Sequence, residues 1–207
     1  MSIKTLTERR ERLLGTRVPL FYEEPVHIVR GEGIFLYDAD GKQYVDMYNN
    51  VPCVGHANPR VVGAMQQQAG MLNVHSRYLH EGILDYAERI TGLHHDSLTR
   101  AVFCCTGTEA SEIAMLMARA ATGGRGIICS DGGYHGNSTE VRRLSVARRD
   151  PEGNHEIRAI PYPQKYRPLD RSATEAELTG LYLDQVRAAI ADFAKNDIPF
   201  AGMFVCS

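Results

Sequence analysis

The spacing of apolar positions changes several times along this chain, and each change marks a different kind of element. Residues 3 to 15 are rich in charge, with Leu6, Leu13 and Leu14 sharing one side of a helical wheel, and predict an amphipathic helix closed by Gly15. From Pro25 to Met47 the period shortens to that of strands. Val26–Val29, Ile34–Tyr37 and Gln43–Met47 are short runs, with a turn at Asp38-Ala39-Asp40-Gly41, and together they predict a small antiparallel meander. Asn58-Pro59 is a capping residue followed by proline at the first helical position, so a helix should run from there to about Met71. Ile83, Leu84, Ala87 and Ile90 mark another helix.

In the second half the apolar run Phe103-Cys104-Cys105 reads as a strand that passes straight into a helix start. Thr106 and Glu109 have the spacing of a capping box, in which the hydroxyl takes one orphan amide and the carboxylate folds back on the cap residue. Ala110, Ile113, Ala114 and Met117 then follow the i, i+3, i+4, i+7 pattern of a buried face, and Gly123-Gly124 ends the helix. Ile127-Ile128-Cys129 is a second strand, opening on the loop Asp131-Gly132-Gly133-Tyr134-His135-Gly136. Strand, helix, strand and glycine-flanked loop make a βαβ unit, with ligand groups expected at the carboxyl ends of its strands. A helix start offers unpaired N–H groups and the positive end of the backbone dipole, and Gly107 has no side chain to hold an anion off. The pattern therefore predicts a phosphate seat at Gly107 and Thr108.

Residues 150 to 172 hold four prolines and little periodicity, and read as a long surface loop. Thr174 and Glu177 form a second capping box ahead of Leu178, Leu181, Val186, Ile190 and Phe193, the apolar positions of a long helix. Phe200 to Ser207 reads as a buried parallel strand. Because termini usually lie at the surface, a chain ending on such a strand predicts the first part of a longer polypeptide.

Composition removes several functional classes. A formal charge of −2, from 23 basic and 25 acidic residues, leaves no excess for nucleic acid or anionic lipid. No run is long and apolar enough for a membrane span, and the first residues lack the apolar core of a secretory signal, so a cytoplasmic setting is expected. Five cysteines without metal-ligand spacing read as reduced, with Cys104, Cys105, Cys129 and Cys206 acting as small hydrophobes. His56 has no second ligand at useful spacing, so no metal is assigned and it reads as a satisfied polar side chain at a turn. Arg142-Arg143-Leu144-Ser145 resembles a basophilic kinase site, and Asn137-Ser138-Thr139 fits the glycosylation sequon; both are short enough to arise by chance.

Taken together, Cys105-Thr106-Gly107-Thr108-Glu109-Ala110, Ala118-Arg119-Ala120-Ala121-Thr122-Gly123 and Gly133-Tyr134-His135-Gly136 closely resemble the cofactor-binding half of the class III, pyridoxal-phosphate-dependent aminotransferases. Upstream, the stretches from Tyr37 to Asp46 and from Gly55 to Val62 are similar to the same family. The resemblance implies an α/β protein of PLP-dependent transferase fold type I, incomplete, with a small N-terminal antiparallel meander. Residues 1–50 would be the helix and meander of a small lobe. Residues 51–207 would be the first half of the large PLP-binding domain, cut at a core strand.

By that resemblance the cofactor is pyridoxal 5'-phosphate. Thr106, Gly107 and Thr108 would hold its phosphate, Tyr134 would stack on its ring, and His135 would neighbour the ring or substrate. Asn49, Asn50, Val51, Arg77 and Tyr78 would stand on the substrate side, Arg77 as a planar fork for a carboxylate or phosphate. The Schiff-base lysine and the acid facing the ring nitrogen are expected beyond Ser207. None of Lys4, Lys42, Lys165 and Lys195 lies in the family's lysine context, so the chain alone should bind phosphate without turnover. The implied reaction moves an amino group between an amine or amino acid and an oxo acid, in a homodimer. The pattern at residues 48–52 and 76–81 is most similar to the branch holding alanine–glyoxylate aminotransferases and ethanolamine-phosphate phospho-lyases. A phospho-lyase of the same family is therefore one alternative, and a truncated, non-catalytic binding module is another.

Overall fold

The computed structural model describes residues 2–20, 22–48, 53–147 and 155–206. The chain divides into two compact units, Met1–Ile83 and Leu84–Ser207.

In the first unit, α1 (Ile3–Leu14) starts at Ser2, whose hydroxyl accepts from the Thr5 N–H at 3.2 Å, and stops at Gly15. The meander forms as the sequence predicts. β1 (Ile28–Glu32), β2 (Phe35–Asp38) and β3 (Gln43–Val45) pair antiparallel in that order. Asp38 ties the β2–β3 turn, because its carboxylate accepts from the amides of Asp40 and Lys42 and from the Tyr44 hydroxyl, at 3.0, 2.8 and 2.8 Å. An isolated bridge adds His56 beside Gly33, through two backbone hydrogen bonds of 3.0 and 2.8 Å. The His56 ring meets the Asp46 carboxylate at 2.7 Å, so this histidine is a satisfied polar side chain, as expected. α2 (Pro59–Met71) is capped by Asn58, whose side-chain oxygen accepts from the amides of Arg60 and Val61. α3 (Glu81–Thr91) spans the boundary between the units.

The second unit is a three-layer α/β/α arrangement. β4 (Gly126–Ser130) is central and buried at every position, with β5 (Ile157–Ile160) and β6 (Phe200–Phe204) parallel on either side. Alternation along β4 decides which face each residue serves. Ile127 and Cys129 pack with Met115, Val141 and Leu144 beneath α4 (Gly107–Thr122) and α5 (Thr139–Val146). Ile128 packs with Ala189 and Phe193 beneath α6 (Glu175–Lys195) on the other face. A buried parallel strand of this kind reads as a continuous apolar run because helices cover both sides. α6 starts with both bonds of the predicted capping box, and α4 ends at Gly123 in the left-handed conformation.

Three expectations are corrected. Phe103-Cys104-Cys105 is not a strand: Val102 and Phe103 are 59% and 42% exposed, and no strand among the described residues lies alongside to supply a ladder. Within the supposed long loop, residues 157–160 form β5, and α5 precedes it, so the βαβ units are β4-α5-β5 and β5-α6-β6. β5 has only two buried side chains, and what makes it a strand is the ready-made edge of β4, which no local periodicity reveals. Finally, β6 is parallel as predicted but stands at the sheet edge, with Ala201 its one buried residue.

Candidate functional site

The site is built where α4 begins. Thr106, at the cap position, accepts the Glu109 N–H on its hydroxyl and the Ala110 N–H on its carbonyl, both at 3.1 Å. The Glu109 carboxylate reaches past the cap residue and accepts from the Cys105 N–H at 2.8 Å, a displacement of one residue from the predicted box. These bonds use the third and fourth helical amides. The amides of Gly107 and Thr108 find no acceptor among the described residues and project from the positive end of the helix. A β-carbon built on Gly107 would meet nothing within 4 Å, so the space on the side-chain side of this first helical residue is open.

The loop after β4 is fastened to the same helix start. The Asn137 N–H donates to Thr108 Oγ1 at 3.4 Å, which leaves the Thr108 hydroxyl proton free for another acceptor. The Asn137 side-chain amide donates to the Tyr134 hydroxyl at 2.9 Å. Gly136 is pressed so closely on α4 that a β-carbon there would stand 2.7 Å from Thr108 Oγ1. Two free amides, a hydroxyl and an aromatic ring 66% exposed thus gather at the carboxyl end of β4.

His135 faces a different way. Its ring stands edge-on to Phe204 with centroids 6.1 Å apart, and its Nε2 is shielded from solvent without a hydrogen-bond partner. Burial pushes its pKa down, which favours the neutral imidazole, and the ring packs the loop against Phe204 at the end of β6. Arg77 and Tyr78 belong to the first unit, in an exposed turn where the Tyr78 N–H donates to the His75 carbonyl at 3.2 Å. Asn49, Asn50 and Val51 lie outside the described residues. An apolar-lined cavity of about 860 Å³ over the meander lies wholly within the first unit.

The remaining motifs carry less. Cys129 is buried, and its thiol donates to the Leu144 carbonyl at 3.3 Å, whereas Cys105 is exposed, contrary to the core role expected of it. Ser145 Oγ is shielded from solvent within α5, so the kinase-like motif is not presented. Sequence reasoning missed Asn137, Gly136, Ser138 and Glu112. The i, i+4 spacing of Thr108 and Glu112 was the one signal that could have shown a shared helix face.

Free amides at the start of α4 beside a tyrosine-bearing loop make a crevice whose chemistry suits an anionic group next to a flat ring. Residues 21–199 match the class-III aminotransferase family, and the chain belongs to it. It is 30% identical over 184 residues to an alanine–glyoxylate aminotransferase 2-like protein of Drosophila melanogaster, covering 86% of this chain and 37% of that one. Ethanolamine-phosphate phospho-lyase homolog 1 of Caenorhabditis elegans is 28% identical over 220 residues, 98% of this chain and 46% of that one. Among solved structures, a phospholyase from Arthrobacter in complex with phosphoethanolamine is 37% identical with a TM-score of 0.84, over 97% of this chain and 47% of that chain. The (S)-enantioselective omega-transaminase of Thermomicrobium roseum shares the fold, with a TM-score of 0.76 at 21% identity. The chain therefore spans less than half the length of these relatives. Pyridoxal phosphate is the cofactor that the family implies, and the open, amide-lined start of α4 fits its phosphate.

Proposed function

We propose that this chain forms the phosphate-seating half of a pyridoxal-phosphate-dependent aminotransferase, moving an amino group between an amine or amino acid and an oxo acid. The observation that carries it is the pairing of free Gly107 and Thr108 amides with a Tyr134 loop pinned to the same helix through Asn137. Gly107 and Thr108 bind the phosphate, with Thr106 setting the helix start, and the Tyr134 ring forms a platform for the pyridine. His135 steadies that platform from behind. Arg77, Tyr78 and residues 49–51 serve the substrate. When bound, the cofactor supplies an electron-withdrawing ring that eases bond breaking at the substrate's α-carbon. The amine that anchors it, the acid opposite its ring nitrogen and the second subunit of a homodimer are assigned outside these 207 residues. We retain the division into a small lobe at 1–50 and the first half of the large domain at 51–207.

A second reading, release of phosphate from an amine phosphate, is favoured by the 37% identity to a phospholyase holding phosphoethanolamine. One assay separates the two. The enzyme containing this chain is given ethanolamine phosphate with and without an oxo acid. Amino transfer requires the oxo acid and leaves the phosphate ester intact; elimination releases inorganic phosphate and ammonia without it. Gly107→Asp, which puts a carboxylate into the seat, should abolish cofactor binding under either reading, and unchanged binding would refute the phosphate seat at Gly107.

A further inference from the structure

Ser138 occupies the cap position of α5, with φ −70° and ψ 162°, yet makes no side-chain cap hydrogen bond. Its carbonyl begins the helix normally, accepting from the Arg142 N–H at 2.9 Å. Its hydroxyl is used elsewhere. It donates to Glu112 Oε2 of α4 at 2.7 Å, in a half-buried position. A hydrogen bond to a charged acceptor is stronger than a neutral serine cap, so the local cap yields to the long-range bond.

That bond belongs to a stripe. Thr108, Glu112, Met115 and Arg119 recur at i, i+4, i+7 and i+11 along α4 and so share one face. Each meets the segment 136–144 in turn. Thr108 takes the Asn137 amide, Glu112 takes the Ser138 hydroxyl, Met115 packs with Val141 and Leu144, and Arg119 binds Glu140 at 3.0 Å. Of the two contacts nearest the phosphate seat, Asn137 to Thr108 is long, at 3.4 Å, whereas Ser138 to Glu112 is short and charge-assisted.

We infer that Glu112 is a positioning residue: its carboxylate latches the aromatic loop onto α4 and thereby holds the loop that carries Tyr134 beside the helix start at Gly107 and Thr108. The inference rests on the phosphate-seat reading for its ligand consequence alone; the latch is a property of the chain. Glu112→Ala removes the acceptor. The Gly107 and Thr108 amides stay in place, because Thr106 and Glu109 hold the helix start without help from Glu112. The ring then loses its register while the seat persists.

The test uses the whole chain, hydrogen exchange, and two probes. Pyridoxamine 5'-phosphate engages seat and ring without condensing with surface lysines, and inorganic phosphate engages the seat alone. Glu112→Ala should raise amide exchange across residues 131–138 at least tenfold, leave the middle of α4 unchanged, and weaken pyridoxamine phosphate at least tenfold. Inorganic phosphate should bind within twofold of the parent. Glu112→Gln, whose amide oxygen still accepts from Ser138, should restore both properties to within about threefold, and Ser138→Ala should reproduce Glu112→Ala with no further loss in the double variant. Equal weakening of both probes, a Gln variant no better than Ala, or unchanged loop exchange would overturn the latch. Should the parent chain bind neither probe, the phosphate-seat reading fails, and loop exchange in Glu112→Ala still decides the latch.

Discussion

Gly136 rests against Thr108 so closely that a β-carbon would stand 2.7 Å from the threonine Oγ1, 2.9 Å from its Cα and 2.9 Å from Val141 Cγ2. Thr108 belongs to the first turn of α4 and Gly136 to the loop after the central strand, so one missing side chain sets the distance between them.

Gly136→Ala is therefore expected to destabilise the chain by about 1–3 kcal/mol, from overpacking together with a φ of +135° that side chains rarely adopt. Urea unfolding measures the loss. A midpoint unchanged from the parent would show that the loop can lift off α4 at no cost.

The buried thiol gives a pH signature. Burial, aided by the charge of Asp131, pushes Cys129 from its ordinary 9.0 to about 12. A raised acid pKa favours the neutral form in the fold, so this contribution is complete below about pH 9 and is lost as pH rises from there toward 12. At pH 8 iodoacetamide should label exposed Cys105 readily and Cys129 only after unfolding, as read by peptide mass spectrometry. Early labelling of Cys129 would contradict its burial.

Glu140 should report acid weakening of the α4–α5 contact. Burial pushes its carboxyl up, but the Arg119 hydrogen bond, with the charge and hydrogen bond of Arg143, outweighs burial and leaves the pKa below the ordinary 4.5. A lowered acid pKa contributes stability above 4.5 that is lost as pH falls through the folded value. The side chain is 36% exposed, so Glu140→Gln is expected to cost no more than about 1 kcal/mol. Melting curves of parent and variant should differ by a constant amount well above pH 4.5 and converge as pH falls from there through the folded value; a gap that widens in acid would reverse the sign.

In the first unit, His56 and Asp46 join the residue just after β3 to the segment ahead of α2, with side chains 19% and 9% exposed. His56→Ala should cost about 1–3 kcal/mol, since a nearly buried carboxylate loses a partner. The paired amides of Gly33 and Asp46 should then exchange faster. Unaltered exchange at Gly33 would show that the backbone bridge holds without the ring.

What the sequence determined by itself was local. Asn58-Pro59, Thr106 with Glu109, Thr174 with Glu177, and Gly123 marked helix ends because capping is settled within one turn of chain. The apolar run 127–129 marked β4 because a strand covered on both faces carries its burial in every residue. Tertiary structure decided the rest. β5 became a strand by pairing with β4, whereas Phe103-Cys104-Cys105, apolar but with no strand alongside among the described residues, did not. Tertiary contact also drew the Ser138 hydroxyl from its own helix to Glu112, turned His135 toward Phe204, and brought Asn137 between Thr108 and Tyr134. Apart from the local Asn137–Tyr134 bond, these pairings join residues far apart in the chain, and their energy exists only once the sheet has placed α4 and the loop side by side.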